Sequence, residues 1–245
     1  MGFLVVLRLA LRDYLENFKM NLLFGVLLVF GFFALFENIF VGSGSIFLEY
    51  NIFSVNPLVL LVELISIIVF MVFYSLFLSF LIFNVRNKMN QVRLQYYLKE
   101  KLQKFGFSLS LFFALYFLAF YIAYSLLILV GVPFIAINLI LFIVSVLLLF
   151  VPQSIVVDES KITHSIESSV EFLTKNPVTV LKVIFMSVVF LLLVPLIESL
   201  FDFIYLTGNY VSLLIVLFFV VPFIEIVKTR LYMKKFGLVL FDKDF

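Results

Sequence analysis

The chain has 245 residues, of which 65% are hydrophobic and 13% charged, and its mean hydropathy is +1.26. A soluble domain is about half apolar and a quarter charged, so this composition excludes a water-soluble globular protein and indicates that lipid is the solvent. The 17 basic and 15 acidic residues leave a net charge of +2, and the absence of cysteine excludes disulfides, thiolate nucleophiles and cysteine metal sites.

Stretches long enough to cross a bilayer occur six times along the sequence. A transmembrane helix needs about 20 mostly apolar residues, each of which adds about 1.5 Å. Gly131 and Pro133 separate the third stretch from the fourth, since glycine suits a turn and proline suits a helix start. The six predicted spans are about Met20–Phe40, Pro57–Phe83, Phe105–Val130, Val132–Val151, Val178–Leu200 and Tyr210–Ile226.

The basic residues mark one side of this predicted bundle. All 17 Lys and Arg residues lie in, or within one turn of, segments that six spans place on the same side of the membrane. Positive charge in short loops is retained on the cytoplasmic side. The sequence therefore predicts a multi-pass protein of the cell membrane with both termini cytoplasmic, in which 1–245 form a single membrane domain ending in a cytoplasmic tail, 231–245.

Three segments on the inner side combine an apolar stripe with a charged face. They cover residues 3–18, 90–105 and 161–177. This pattern is typical of a helix that lies in the membrane interface; the alternative is that each segment extends the following span into the cytoplasm. The stripes consist of Phe3, Leu7, Leu11, Leu15 and Phe18; of Leu94, Leu98, Leu102 and Phe105; and of Ile162, Ile166, Val170 and Leu173.

The order of these elements predicts an internal repeat. One interfacial helix and one two-span hairpin would form each unit, over about 1–84, 85–156 and 157–230. Pro152 closes the fourth predicted span and Pro222 closes the sixth, at nearly the same offset from one another as the last two interfacial helices. The predicted fold is therefore all-α: a polytopic membrane protein with six transmembrane helices and three interfacial amphipathic helices.

The run Pro152–Asp158, followed by Ser165 and Ser169, resembles an uncharacterised group of archaeal and bacterial multipass proteins akin to the membrane domain of glycerophosphoryl diester phosphodiesterases. In that group a span ends in a short apolar run and an acidic residue, here Asp158, and an amphipathic helix with small residues four apart follows. The resemblance covers mainly residues 152–235 and implies a six-span membrane domain. It does not imply phosphodiesterase activity, which belongs to a separate soluble barrel.

Motifs for catalysis are missing from the sequence. It contains no HExxH, no G-x-S-x-G, no Walker loop and no dinucleotide-binding glycine fingerprint. We therefore predict a protein that is not an enzyme and holds no cofactor or metal. The basic segment 86–104 lies beside a span, where anionic headgroups are a better partner than nucleic acid. The predicted partners are membrane lipids, with anionic headgroups on the inner leaflet, and a membrane protein; nucleic acid is not expected.

Carboxylates on the outer side are the candidate binding residues. Glu63 lies about six residues, or roughly 9 Å, into the second span. Glu198 and Asp202 are four residues apart near the outer end of the fifth span, which places them on one helix face. Charge within a span is costly and often lines a pathway or pairs with a partner, whereas a carboxylate near the outer end of a span is simply hydrated.

Two functions stay open at this point. The first is a non-enzymatic integral membrane protein that acts through lipid or protein contacts in the bilayer, with the interfacial helices touching the inner leaflet. The second is a small transporter or channel for cations or protons, which would use Glu63, Glu198 and Asp202.

Overall fold

Helices form nearly all of the described chain in the computed structural model. The structure describes residues 3–26, 39–41, 46–48, 57–90, 98–203 and 208–234. The helices, in chain order, are α1 (Phe3–Glu16), α2 (Phe18–Asn21), α3 (Pro57–Asn90), α4 (Leu98–Leu129), α5 (Phe134–Leu147), α6 (Val151–Val157), α7 (Ile162–Lys175), α8 (Pro177–Phe203), α9 (Gly208–Ile215) and α10 (Val221–Met233).

Shorter elements interrupt this helical chain. A 3-10 turn, Leu22–Val26, follows α2, and a π-helical segment, Val216–Val220, joins α9 to α10. Two strands of three residues, β1 (Ile39–Val41) and β2 (Ile46–Leu48), pair antiparallel. The predicted all-α class is therefore confirmed for the described residues apart from this one hairpin.

Four helical segments in the described ranges are long and apolar enough to cross a membrane. They overlap the second, third, fourth and fifth predicted spans, which confirms the membrane class. They are Ile68–Lys88 in α3, Gln103–Leu129 in α4, Phe134–Val157 across α5 and α6, and Pro177–Phe201 in α8. The six-span count and the threefold repeat stay predictions.

The first predicted span, Met20–Phe40, differs from the structure. At its inner end, Leu22–Val26 form a 3-10 turn instead of an α-helix. At its outer end, Ile39 and Phe40 lie in β1, so the predicted helix is wrong there. The β-branched and aromatic side chains of both short strands favour extended backbone. Residues 27–38 of this predicted span lie outside the described part of the chain.

The second predicted interfacial helix, over 90–105, also differs. Helix α4 begins at Leu98 and runs for 32 residues without a break. Residues 98–105 are therefore the first turns of the following span, which is the alternative that the sequence allowed, and residues 91–97 are not described. Helix α3 has 34 residues, a length of about 51 Å, so it extends beyond a hydrocarbon core of about 30 Å.

Helix α10 is the central element at the end of the bundle that the sequence predicts to be the inner one. All its residues are buried, and α1, α3, α6 and α8 contact it. Its second residue, Pro222, occupies the same place as Pro152 in α6, and in both helices an irregular segment precedes the proline. Proline is tolerated there because the first turn of a helix leaves its N–H groups unbonded.

Gly25 provides a test of this packing. A Cβ at Gly25 would overlap the Phe218 ring, which belongs to the π-helical segment, whereas a Cβ at Gly106 would meet only the flexible end of Leu76. Overpacking of a rigid site costs about 1–3 kcal/mol. We expect Gly25→Ala to lower the melting temperature in detergent, measured by circular dichroism, and Gly106→Ala to lower it less. Equal melting temperatures for the two variants would contradict the close approach at Gly25.

Candidate functional site

The outer carboxylate site stays a prediction. Glu63 lies in α3 and Asp202 in the last turn of α8, but the surroundings of both side chains fall outside the described part of the molecule. Glu198, also in α8, is half-buried and forms no ion pair with any residue that the structure describes. The described ranges therefore give no support to a pathway for cations or protons along these acids.

The structure instead gathers charged side chains at the predicted inner end of the bundle, beginning with Asp13 of α1. Asp13 is fully buried and accepts hydrogen bonds from Lys88 Nζ, at 2.7 Å, and from Arg230 Nε. Lys88 also contacts the Glu16 carboxylate. These ion pairs join α1 to the inner end of α3 and to α10.

Polar groups outside the ion pairs strengthen the attachment of α1. The Tyr14 hydroxyl donates to the carbonyl of Phe218 over 2.9 Å, and this carbonyl belongs to the π-helical segment. The side-chain amide of Asn84 in α3 donates to the side-chain oxygen Oδ1 of Asn17, the residue after α1, over 2.5 Å. These two hydrogen bonds therefore attach α1 to the π-helical segment and to α3.

A second buried cluster joins α6 to α10. Glu225, Lys228 and Gln153 are all fully buried. The Lys228 ammonium donates to Glu225 Oε1 over 2.9 Å, and Gln153 Nε2 donates to Glu225 Oε2 over 2.7 Å. Burial lowers the pKa of the Lys228 ammonium, and the charge of Glu225 opposes that shift. The Tyr74 hydroxyl of α3 is also buried and has no hydrogen-bond partner among the described residues.

Glu159 joins the loop after α6 to two membrane-crossing helices. It has a φ of 54°, which is unusual for a residue with a side chain. Its carboxylate accepts hydrogen bonds from Arg86 of α3, over 2.9 Å, and from Lys101 of α4, over 2.6 Å. Burial alone would raise the pKa of the Glu159 carboxyl, but the bonds and charges of these two cations lower it on balance.

Helix α7 packs through its serine side chains. Ser169 accepts a hydrogen bond from the Phe150 N–H, over 3.1 Å, and donates to the Leu147 carbonyl, over 2.7 Å. These are the backbone groups left unpaired where α5 ends and α6 begins. Beside them, the Tyr232 hydroxyl donates to Asp158 over 2.5 Å. Burial, and then this bond, raise the pKa of Tyr232.

Two amphipathic helices, α1 and α7, keep an apolar stripe beside the face that packs on the protein. In α1 the buried face consists of Val6, Ala10, Asp13 and Tyr14. The predicted stripe runs along the helix beside this buried face. Leu4 is 79% and Leu15 62% exposed, although both are apolar. In α7 the buried face is Ser165, Ser168, Ser169 and Phe172, and the predicted stripe of Ile162, Ile166, Val170 and Leu173 is half-buried. The predicted stripes exist, but they are not the main packing faces.

The charged side chains of the clusters described above form structural ion pairs and hydrogen bonds. Its carboxylates are matched with ammonium, guanidinium, amide or hydroxyl groups. No group of three or more metal-ligating side chains occurs in the part of the chain that the structure describes. His164 is exposed and lies 3.4 Å from the Glu167 carboxylate on the surface of α7.

One feature of the sequence, which an analysis of hydropathy alone ignores, indicates the buried pair of Glu225 and Lys228. Glu225 falls inside the sixth predicted span, and Lys228 follows at a spacing of three, which places the two side chains on one helix face. Charge in such an apolar segment requires partners. No local pattern identifies Asp13 as the partner of Arg230, because 217 positions separate them.

No protein-family model, curated protein or solved structure matches the chain. Its own residues therefore indicate its class, which is that of a helical protein with four helices in the described ranges that are long and apolar enough to cross a membrane. The resemblance of residues 152–235 to the membrane domain of glycerophosphoryl diester phosphodiesterases stays a prediction.

Removal of the Asp13 charge tests the first cluster. Asp13→Asn leaves Arg230 buried without its carboxylate, and a broken buried pair costs about 3–5 kcal/mol. We expect a large fall in thermal stability in detergent. Glu16→Gln is the matched control, because Glu16 is exposed and such pairs contribute about 0–1 kcal/mol. Equal losses of thermal stability in the two variants would show that burial of Asp13 does not increase the contribution of its ion pairs to stability.

Glu159 gives a prediction on pH. Its pKa is lowered in the folded protein, so its ion pairs stabilise the fold above the ordinary carboxyl value of 4.5. That stability is lost as the pH falls through the lowered pKa. We expect protection of the α6–α7 loop amides against hydrogen exchange to fall below about pH 4.5, and this dependence to flatten in Glu159→Gln. An unchanged dependence in the variant would assign the effect to other groups.

Proposed function

We propose that this chain is a non-enzymatic integral membrane protein of the cell membrane that acts on the inner leaflet through lipid contacts of α1 and α7. Both termini would be cytoplasmic. The observation that carries the proposal is the exposed apolar stripe that α1 keeps after it has packed on α10. Large apolar side chains beside a charged face are typical of a helix in the membrane interface.

The height of α1 relative to the spans supports this proposal. Lys88 is the last residue of the membrane-crossing segment Ile68–Lys88, and its ammonium contacts Asp13 and Glu16 of α1. A cation at that position belongs at the headgroup level. The ion pairs support a position of α1 beside the predicted inner end of this span, where its exposed leucines would reach lipid.

The charged flank of α1 supports the same arrangement. Around the helix axis, at about 100° per residue, Leu4, Leu11 and Leu15 lie on one flank of the exposed surface. Arg12 and Glu16 lie on the other flank and pair with one another. A full burial of one leucine side chain stabilises by about 1.5–3 kcal/mol, so even partial immersion of three leucines is enough to hold this flank in lipid.

Tryptophan substitutions test the orientation of α1, because the chain contains no Trp. Leu4 lies on the leucine flank and Val5 on the opposite flank, both are exposed, and neither is charged. In vesicles that contain lipids brominated on the acyl chain, we expect Leu4→Trp fluorescence to be strongly quenched and Val5→Trp fluorescence much less so. Quenching of Leu4→Trp by aqueous iodide, with none by bromolipid, would contradict the proposal.

A further inference from the structure

A groove with a volume of about 410 Å³ lies where α7, α8 and α10 meet. Phe172 and Leu231 supply apolar surface to it, and Glu171, Lys175, Asn176, Thr179 and Lys234 supply polar groups. The groove lies outside the buried ion-pair clusters.

One cation in the groove wall and one beside the groove form no ion pair with a residue that the structure describes. The groove cation Lys175 is neutralised by Glu171, 2.5 Å away, whereas Lys234 is half-buried in the groove wall and has no such carboxylate. Lys182 is exposed and lies outside the groove lining, one turn beyond Thr179 on α8, with its ammonium 5.9 Å from the centre of the Phe3 ring. Burial, and then the charge of Lys182, lower the pKa of Lys234.

The hydrogen-bonding capacity of the groove fits an anion. The Thr179 hydroxyl lines it and has no hydrogen-bond partner among the residues that the structure describes. A phosphate accepts charge-assisted bonds from ammonium groups and ordinary bonds from hydroxyls. An anion between Lys182 and Lys234 would also remove the repulsion between them.

The position of the groove indicates that such an anion carries an apolar tail. Lys182 lies close to the inner end of the membrane-crossing segment Pro177–Phe201. On the same helix, Val178 and Phe185 lie about 40–60° from Lys182 around the axis. They are 62% and 70% exposed, respectively. An apolar path into the bilayer therefore starts beside the cations.

We propose that this groove binds one anionic phospholipid of the inner leaflet. Its phosphate lies between Lys182 and Lys234 and accepts a bond from Thr179. Its acyl chains enter the bilayer along Phe185, one turn deeper than Lys182. This inference rests on the proposed function, because it names the lipid class that one part of the inner face recognises.

Native mass spectrometry of the detergent-purified protein tests the site with two probes, phosphatidylglycerol and phosphatidylcholine. We expect one phosphatidylglycerol to stay bound in preference to phosphatidylcholine. The double variant K182Q/K234Q is expected to weaken that binding by about tenfold or more. K104Q/K161Q is the matched control, because it removes two exposed inner-side charges from elsewhere and is expected to leave binding unchanged.

Three results would overturn the site. Phosphatidylglycerol binding could be weakened equally in both double variants, or it could be weakened in neither. The lipid could also be displaced by millimolar inorganic phosphate, which would identify a free anion as the occupant. Circular dichroism checks that both variants fold. The bromolipid quenching of Leu4→Trp is measured in parallel. If the quenching persists while K182Q/K234Q still binds phosphatidylglycerol, only the lipid site at the groove is rejected. If the quenching is absent, the proposed function through lipid contacts is rejected.

Discussion

Buried charge in α10 is the constraint on which the inner half of the molecule depends. Glu225, Lys228 and Arg230 lie on a helix that is buried along its whole length. In a bilayer, apolar side chains gain little by leaving lipid for protein, so helix association relies on packing and polar contacts. A buried charge without its partner costs several kcal/mol. Asp13 and Gln153 must therefore both be in place, and each belongs to a different helix that packs on α10.

The irregular backbone beside α10 fits the same requirement. A π-helical segment breaks the regular hydrogen-bonding of a helix, and such segments need an external partner or a local change of direction. Here the Phe218 carbonyl within that segment receives the Tyr14 hydroxyl of α1. Gly25 lets the chain approach the Phe218 ring closely. Helix α1 thus docks where α10 departs from regular geometry, and Pro222 restarts the α-helix directly afterwards.

The membrane class and four of the spans followed from hydropathy because length and apolar content are local properties. The packing faces did not follow. Hydrophobic periodicity indicated helices that lie in the membrane interface, but it did not identify which side chains of those helices would meet the protein. In α7 the serine face is buried, because Ser169 bonds backbone groups where two helices meet. The ion pairs between different helices could not be predicted either, because their partners are distant in the sequence.

The two amphipathic helices share one arrangement, and it connects the fold to the proposed function. Helix α1 packs on α10, which begins with Val221-Pro222, and α7 packs on α6, which begins with Val151-Pro152. The face that each helix turns to the protein combines small or polar side chains with a large one, Tyr14 in α1 and Phe172 in α7. Part of each stripe also packs against the core, as Phe3 and Leu7 do in α1. Polar and apolar contacts therefore share the attachment of these helices, and the exposed side chains that the proposed function assigns to lipid are Leu4, Leu11 and Leu15 of α1.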